Sequence, residues 1–510
     1  MAAHFNAADA ILAKARESRC RDRAAILHAG GALTYGALDA EVSRSAHALA
    51  ALGLARGERV GFLMNDSPRF CAAFLGALRA GTVAIALNPR LAAADLAFVV
   101  ADSEARLLIA DPDFLDAARA ACAGTAAQLV PARGAGETLE AAVAAARADY
   151  PTAATRADEP AFWMYSSGTT GKPKAILHSH ANAAHAGKLY RELVRVDEHT
   201  VVLGTSKLFF AFALDHAFLG ALAHGAATIL NEGWPEPEAI LEQARRHRPT
   251  IFLTVPTFFR RLLALPKDAL APLAAARVNL TGGERFPEAL AAQWQATVGT
   301  EIIVVYGMSE TFCPAMANAP GRSRIDACGV LLDGVEAKLL DADGEPVAEG
   351  EPGVLWLKHP SLALRYKRPE ATARAFRDGW FCTGDVFTHP ADGAWIHQGR
   401  ADELLKVAGQ WVNPGALEEA VLADPRVREA ACVVVPDRDG FDRLALFVAG
   451  AGAVRVAAAR LEGLPRHSQP KWIREVAELP RTATGKVQRF RLRERLEAEL
   501  REQPVRPHST

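Results

Sequence analysis

The chain has 510 residues, half of them apolar and 23% charged, which is too long for one ordinary core and too apolar for a disordered polymer. Lysine plus arginine (58) nearly balances aspartate plus glutamate (59), so bulk charge makes no case for a nucleic-acid or membrane partner. The cysteines (Cys20, Cys71, Cys122, Cys313, Cys328, Cys382 and Cys432) are odd in number, scattered and without a C-x-x-C pair, which argues against a disulfide framework or structural zinc and for a reducing, cytoplasmic setting.

At the N-terminus, "MAAHFNAADAILAKARESRC" holds no continuous apolar core of signal-peptide length. Residues 59–64, "RVGFLM", read as a buried strand, 67–81, "SPRFCAAFLGALRAG", as a helix, and 82–87, "TVAIAL", as the next strand. The apolar run across them is broken by Arg79 and falls short of a bilayer span. "ARLLIA" (105–110), "AATIL" (226–230), "PTIFLTV" (249–255) and "EIIVVYG" (301–307) add buried strands, whereas 113–157 is Ala-rich and uninformative. Strands separated by helical stretches predict an α/β fold of parallel-rich sheets flanked by helices. From about 329 to 400, turn signals such as "DADGEP" and "PADGAW" punctuate short strands and predict a β-rich subdomain. Helix "GALEEAVLA" and strands "EAACVVVP" and "LALFVAG" then predict a small α+β domain. The expected plan is a large N-terminal domain, 1–400, and a small mobile C-terminal domain, 401–510, with a frayed tail.

Residues 165–180, "YSSGTTGKPKAILHSH", carry the clearest chemistry. The spacing from Gly168 does not satisfy the G-x-x-x-x-G-K-[ST] phosphate loop, and Pro173 follows Lys172. Successive backbone N–H groups of a glycine-rich turn still make an anion-binding concavity. The hydroxyls of Ser166, Ser167, Thr169 and Thr170 add donors, and Lys172 and Lys174 add charge. His178, His180 and His185 follow closely, and such histidines more often pack beside a helix start than bind metal.

This loop resembles the signature of the adenylate-forming superfamily of acyl-CoA synthetases, luciferases and peptide-synthetase adenylation domains. In the family's order follow "VYGMSET" (305–311), "WFCTGD" (380–385), "GRADELLKVAGQWVNPGALEE" (399–419) and "LPRTATGKVQR" (479–489), each similar to a family motif. The resemblance implies a two-step reaction: a carboxylate attacks the α-phosphate of ATP and expels pyrophosphate, then a thiol, usually that of coenzyme A, displaces AMP. It implies that Ser166, Ser167, Gly168, Thr169, Thr170, Gly171, Lys172 and Lys174 hold phosphates, and that Glu310, with Thr170, ligates magnesium. Tyr306 and Gly307 would lie against the adenine with Gly283 and Glu284 opposite, and Thr311 would reach the α-phosphate. Asp385 would bind the ribose hydroxyls, supported by Arg400. Lys486 would stabilise the adenylation transition state, Asp402 would be the hinge, and Gly409 would pass pantetheine close to the backbone.

Residues 207–225, "KLFFAFALDHAFLGALAHG", resemble the segment that opens the acyl pocket, so Phe210, Ala211, Phe212 and Ala213, with Gly282 and Phe312, would line it. Amino-acid-activating members carry an aspartate near the position of Phe212; a buried, unpaired ammonium would be costly beside an aromatic, which disfavours amino acids. The chain is most similar to the benzoate–CoA ligase branch, which implies an aromatic or other cyclic acid. Benzoate-specific members usually have a tyrosine–glycine pair where this chain has Phe212 and Ala213, and many relatives have glycine at Ala175. A medium-chain acyl-CoA synthetase and a loader of a carrier-protein thiol stay open. A phosphotransferase would instead make ADP. The expected partners are small molecules, with no nucleic acid and no membrane; a homodimer is one open assembly state.

Overall fold

The computed structural model describes residues 4–167, 172–401, 405–407, 410–412, 414–437, 440–462, 469–481 and 487–502. Contacts divide the chain into two compact units. The first comprises Met1–Ala337, Trp356–Cys382 and Gly393–Trp395; the second comprises Lys338–Leu355, Thr383–Asp392 and Ile396–Thr510. The contact boundary therefore falls inside the β-rich stretch rather than at 400.

Among the described residues, the first unit contains two large sheets. One has seven strands in the order Arg365–Tyr366, Pro173–Ser179, Pro160–Ser167, Val83–Ala86, Arg59–Leu63, Leu107–Ala110, Gln128–Pro131. Its last five strands are parallel neighbours, while Pro160–Ser167 and Pro173–Ser179 form an antiparallel hairpin. The other has nine strands, and a parallel run lies at its centre: Ile302–Tyr306, Val278–Thr281, Ile251–Leu253, Val201–Gly204, Ala227–Ile229 and Ala24–His28. Central strands such as Leu107–Ala110 are buried along their whole length, which is why they read as unbroken apolar runs. The helix Pro68–Arg79 starts where the sequence implies: the Ser67 hydroxyl accepts from the Phe70 N–H at 3.2 Å and Pro68 takes the first turn. Gly76 lets it cross the helix Tyr35–Ala51 closely, since a Cβ there would lie 2.7 Å from Ser45 Cβ.

The second unit folds on a three-stranded sheet of Glu429–Pro436, Asp442–Ala449 and Trp472–Glu475. Alternation along Glu429–Pro436 sends Cys432 to a core with Leu417, Val421 and Leu446, and Ala431 and Val433 to one with Phe447, Leu492 and Leu496. The α/β class, the parallel-rich sheets and the small α+β C-terminal part expected from the sequence are present.

Candidate active site

Most expected substrate residues lie just past the carboxyl ends of parallel strands of the nine-stranded sheet. Val201–Gly204 leads into 205–213, Val278–Thr281 into Gly282–Glu284, and Ile302–Tyr306 into Gly307–Phe312. This edge is where open α/β sheets bind ligands. Gly282 is buried, and a Cβ there would meet Val305 Cγ2 and the Val305 carbonyl at 2.9 Å and Phe212 Cε2 at 3.8 Å. Phe212, Val305 and Gly282 thus converge. Phe210 is half-buried with its ring 4.4 Å from Phe209, Ala211 is half-buried and Ala213 is buried. Gly283 takes φ +83°, a conformation that favours glycine, and Glu284 beside it is exposed. A Cβ at Gly307 would come within 3.1 Å of Pro314 Cα, so the backbones approach closely there. Tyr306 ends its strand half-buried.

Sequence reasoning did not single out Lys207, which anchors the segment before Phe210. Its ammonium pairs with Asp66 at 3.1 Å and donates to the carbonyls of Asn231 (2.7 Å), Glu232 (3.3 Å) and Gly233 (3.0 Å).

The phosphate-loop hairpin pairs Ser166 with Lys174 and Ser167 with Pro173. Lys174 reaches across to Glu310: Nζ is 2.9 Å from Glu310 Oε1 and donates to Tyr366 Oη at 3.0 Å. Tyr366 Oη in turn donates to Glu310 Oε1 at 2.7 Å, and Lys174 Nζ also sits 4.3 Å from the Tyr366 ring centre. Both contacts fall on Oε1; among the described residues Oε2 has no partner. Lys172 is exposed, with Nζ 5.4 Å from the Phe98 ring centre.

His178, for which the sequence implies packing and no ligand role, lies in the interior. It is fully buried and stacks on Phe162 at 4.8 Å. Nε2 lies 2.8 Å from the Ser309 carbonyl, which can only accept, so the proton sits there and Nδ1 accepts from Asn182 at 3.0 Å. Burial pushes its pKa down to about 4, keeping the ring neutral. With the Ala363 N–H on the Glu310 carbonyl at 2.8 Å, the backbone carbonyls of both Ser309 and Glu310 are held. His180 accepts from the Ala7 N–H at 3.1 Å and opens the helix His180–Ala184.

Two expected residues turn inward. Thr311 is fully buried, with its hydroxyl accepting from the Met308 N–H at 3.2 Å. Phe312 takes φ +60° and packs on Phe162 at 4.9 Å, in the aromatic cluster with His178. A left-handed aromatic residue is a strained position that its surroundings must impose.

In the second unit, Asp385 and Arg400 face each other across an antiparallel pair. Arg400 Nη1 donates to Asp385 Oδ1 at 3.2 Å and to the Thr383 carbonyl at 2.8 Å. The Asp385 N–H donates to Thr383 Oγ1 at 3.0 Å. Gly384 takes φ +73°, and a Cβ there would strike the Arg400 guanidinium at 2.6 Å, so the T-G-D turn needs glycine. Gly168, Thr169, Thr170, Gly171, Asp402, Gly409 and Lys486 lie outside the described residues. Tyr366 was also missed: nothing local in "ALRYKRP" marks it, because its partners are 56 and 192 residues away.

Among the described residues no disulfide joins the cysteines. Among the described residues no cluster of three His, Cys, Asp or Glu could hold a metal, and no helix is long and apolar enough to cross a membrane.

Residues 12–367 match the family model of the AMP-binding enzyme, and 416–486 match that of the AMP-binding enzyme C-terminal domain. The chain is 40% identical over 514 residues to a 3-hydroxybenzoate–CoA/4-hydroxybenzoate–CoA ligase of Thauera aromatica, covering 97% of this chain and 98% of that one. It is 35% identical over 504 residues to a benzoate–CoA ligase of Thauera aromatica, covering 96% of each. The solved structure of a benzoate CoA ligase from Burkholderia xenovorans LB400 aligns with a TM-score of 0.88 at 31% identity, covering 96% of this chain and 100% of that one. The chain belongs to the AMP-binding enzyme family, the adenylate-forming superfamily, in its benzoate–CoA ligase branch.

Proposed function

We propose that this protein is an AMP-forming acid–CoA ligase acting on benzoate or a ring-substituted benzoate. The observation that carries the reading is the wall made by Phe212, Val305 and Gly282 at the carboxyl edge of the sheet. An aromatic, a β-branched residue and a glycine suit a flat apolar ring and offer an ammonium nothing to pair with. Burying about 150 Å² of ring at ~25 cal/mol per Å² contributes at most about 4 kcal/mol, or up to about a thousandfold over acetate.

In the first step the substrate carboxylate attacks the α-phosphorus of ATP and pyrophosphate leaves. Lys486 places an ammonium where negative charge develops, and the backbone of 168–171 with Lys172 receives the phosphates. Glu310 fits a hard divalent cation: its backbone carbonyl is held by Ala363, Oε1 is oriented by Tyr366 and Lys174, and Oε2 is available. Magnesium there, with Thr170, would neutralise phosphate charge, the usual arrangement of few carboxylates plus substrate oxygens. Asp385, braced by Arg400, accepts from the ribose hydroxyls. In the second step the thiol of coenzyme A attacks the acyl carbon and AMP leaves, after a rotation that pivots at Asp402 and brings Gly409 to the pantetheine.

The test is a panel of acetate, hexanoate, cyclohexanecarboxylate, benzoate, hydroxybenzoates and phenylalanine, read by pyrophosphate release with and without coenzyme A. Ring acids should have the highest kcat/KM, with AMP as the nucleotide product. Acetate outperforming every ring, an amino acid as best substrate, or ADP as product overturns the proposal.

A further inference from the structure

Four residues beyond Phe212 sits a histidine whose polar atoms have no partner. Residues Ala211–Ala213, Leu214–Leu219 and Gly220–Ala223 form one helical run, and its middle part is π-helical. Such bulges recur at functional sites because they re-aim side chains. His216 falls on the Phe212 side of this run, with ring centres 5.1 Å apart. It is 1% exposed, and neither ring nitrogen makes a hydrogen bond. Nδ1 lies 2.7 Å from Asp215 Oδ2, but not in hydrogen-bonding geometry, and Oδ2 is itself unsatisfied. The Tyr190 ring packs 5.5 Å from His216, and Tyr190 Oη is buried and equally unpartnered.

A satisfied interior leaves few such atoms, so the unpartnered His216 nitrogens, Asp215 Oδ2 and Tyr190 Oη, gathered together, ask for an explanation. Asp215 is not loose: Oδ1 accepts from the Gly187 N–H at 2.7 Å, which fixes the carboxylate beside the imidazole. An imidazole next to an anchored carboxylate can donate from one nitrogen and accept at the other. A ligand seated against the Phe212 ring would supply the group that completes it. A phenolic hydroxyl, which both donates and accepts, has that chemistry; an unsubstituted ring has not.

We infer that His216, beside the anchored Asp215 carboxylate, is a specificity-determining residue that hydrogen-bonds a hydroxyl on the substrate's aromatic ring, making a hydroxybenzoate the preferred acid. This rests on the reading of the site as an aromatic-acid pocket and adds the substituent. A pocket that hydrogen-bonds a substrate hydroxyl discriminates strongly against the analogue lacking it, because its own buried groups are then left unpaired.

The experiment measures kcat/KM for benzoate, 3-hydroxybenzoate, 4-hydroxybenzoate and 3-chlorobenzoate in the wild type and in His216→Leu, His216→Phe and His216→Gln. The quantity read is the ratio of hydroxylated acid to benzoate within one preparation, so a partly unfolded variant cannot mimic the effect. The wild type should favour one hydroxybenzoate over both benzoate and the chloro acid by about tenfold or more. His216→Leu and His216→Phe should erase that ratio with kcat/KM for benzoate lowered far less, and His216→Gln should restore part of it. Which isomer responds identifies the position read. A ratio unchanged in the apolar variants, with all acids lowered equally, makes His216 merely structural and overturns the inference. If the wild type activates no ring acid at all, the proposed function fails first.

Discussion

Replacing Tyr366 by phenylalanine removes one oxygen and tests how Glu310 is held. That oxygen donates to Glu310 Oε1 at 2.7 Å and accepts from Lys174 Nζ at 3.0 Å. Tyr366 is 4% exposed and Glu310 is 7% exposed, so water replaces neither bond easily. A hydrogen bond to a charged group contributes roughly 1.5–3 kcal/mol. The carboxylate is not stranded, because Lys174 stays 2.9 Å away, and the ring keeps its contacts with Lys174 (4.3 Å) and Phe376 (5.4 Å). The expected loss is therefore near the value of one bond, about 2 kcal/mol, in urea unfolding. Glu310 also gains rotational freedom, so adenylation should need more magnesium and lose about tenfold in kcat/KM, equivalent to ~1.4 kcal/mol. The assay is pyrophosphate release across a magnesium titration, beside the unfolding curve. Wild-type midpoint and wild-type magnesium dependence together would refute the idea that the phenol positions Glu310.

Phe212→Asp puts a charge against the ring, so the preference for ring acids over acetate should vanish in the carboxylic-acid panel while ATP binding persists. His178, His180 and His359 are each lowered by burial from 6.5 to about 4, so the unfolded chain binds more protons between those values. Stability should be full above about pH 6.5 and fall as the pH drops toward 4, by up to about 1.4 kcal/mol per unit per histidine; urea midpoints that stay flat from pH 7 to 5 contradict this. The half-reactions should separate. Lys486→Ala should suppress adenylation by orders of magnitude but spare thioester formation from supplied acyl-adenylate, whereas Asp402→Pro should do the reverse by fixing φ at the pivot. Equal losses in both steps would remove those roles.

The sequence by itself determined the elements and the chemistry of the local motifs. Buried parallel strands announce themselves as short apolar runs such as "LLIA" and "IIVVY", and the Ser67–Pro68 start of a helix is read from residues in contact with their own neighbours. The T-G-D turn is legible for the same reason, since the Asp385 N–H donates to the Thr383 hydroxyl two residues back and Gly384 takes φ +73°. The tertiary structure alone decided what meets what. Lys174, Glu310 and Tyr366 are joined across up to 192 residues, and His178 holds the Ser309 carbonyl from 131 residues away. Phe212 meets Gly282 only because Val201–Gly204 and Val278–Thr281 both flank Ile251–Leu253 in the sheet. Phe312, expected to line the acyl pocket, packs on Phe162 with its backbone left-handed at φ +60°. Strand order and a single dihedral angle are set by the packing of the whole unit, and no periodicity in a local window carries them.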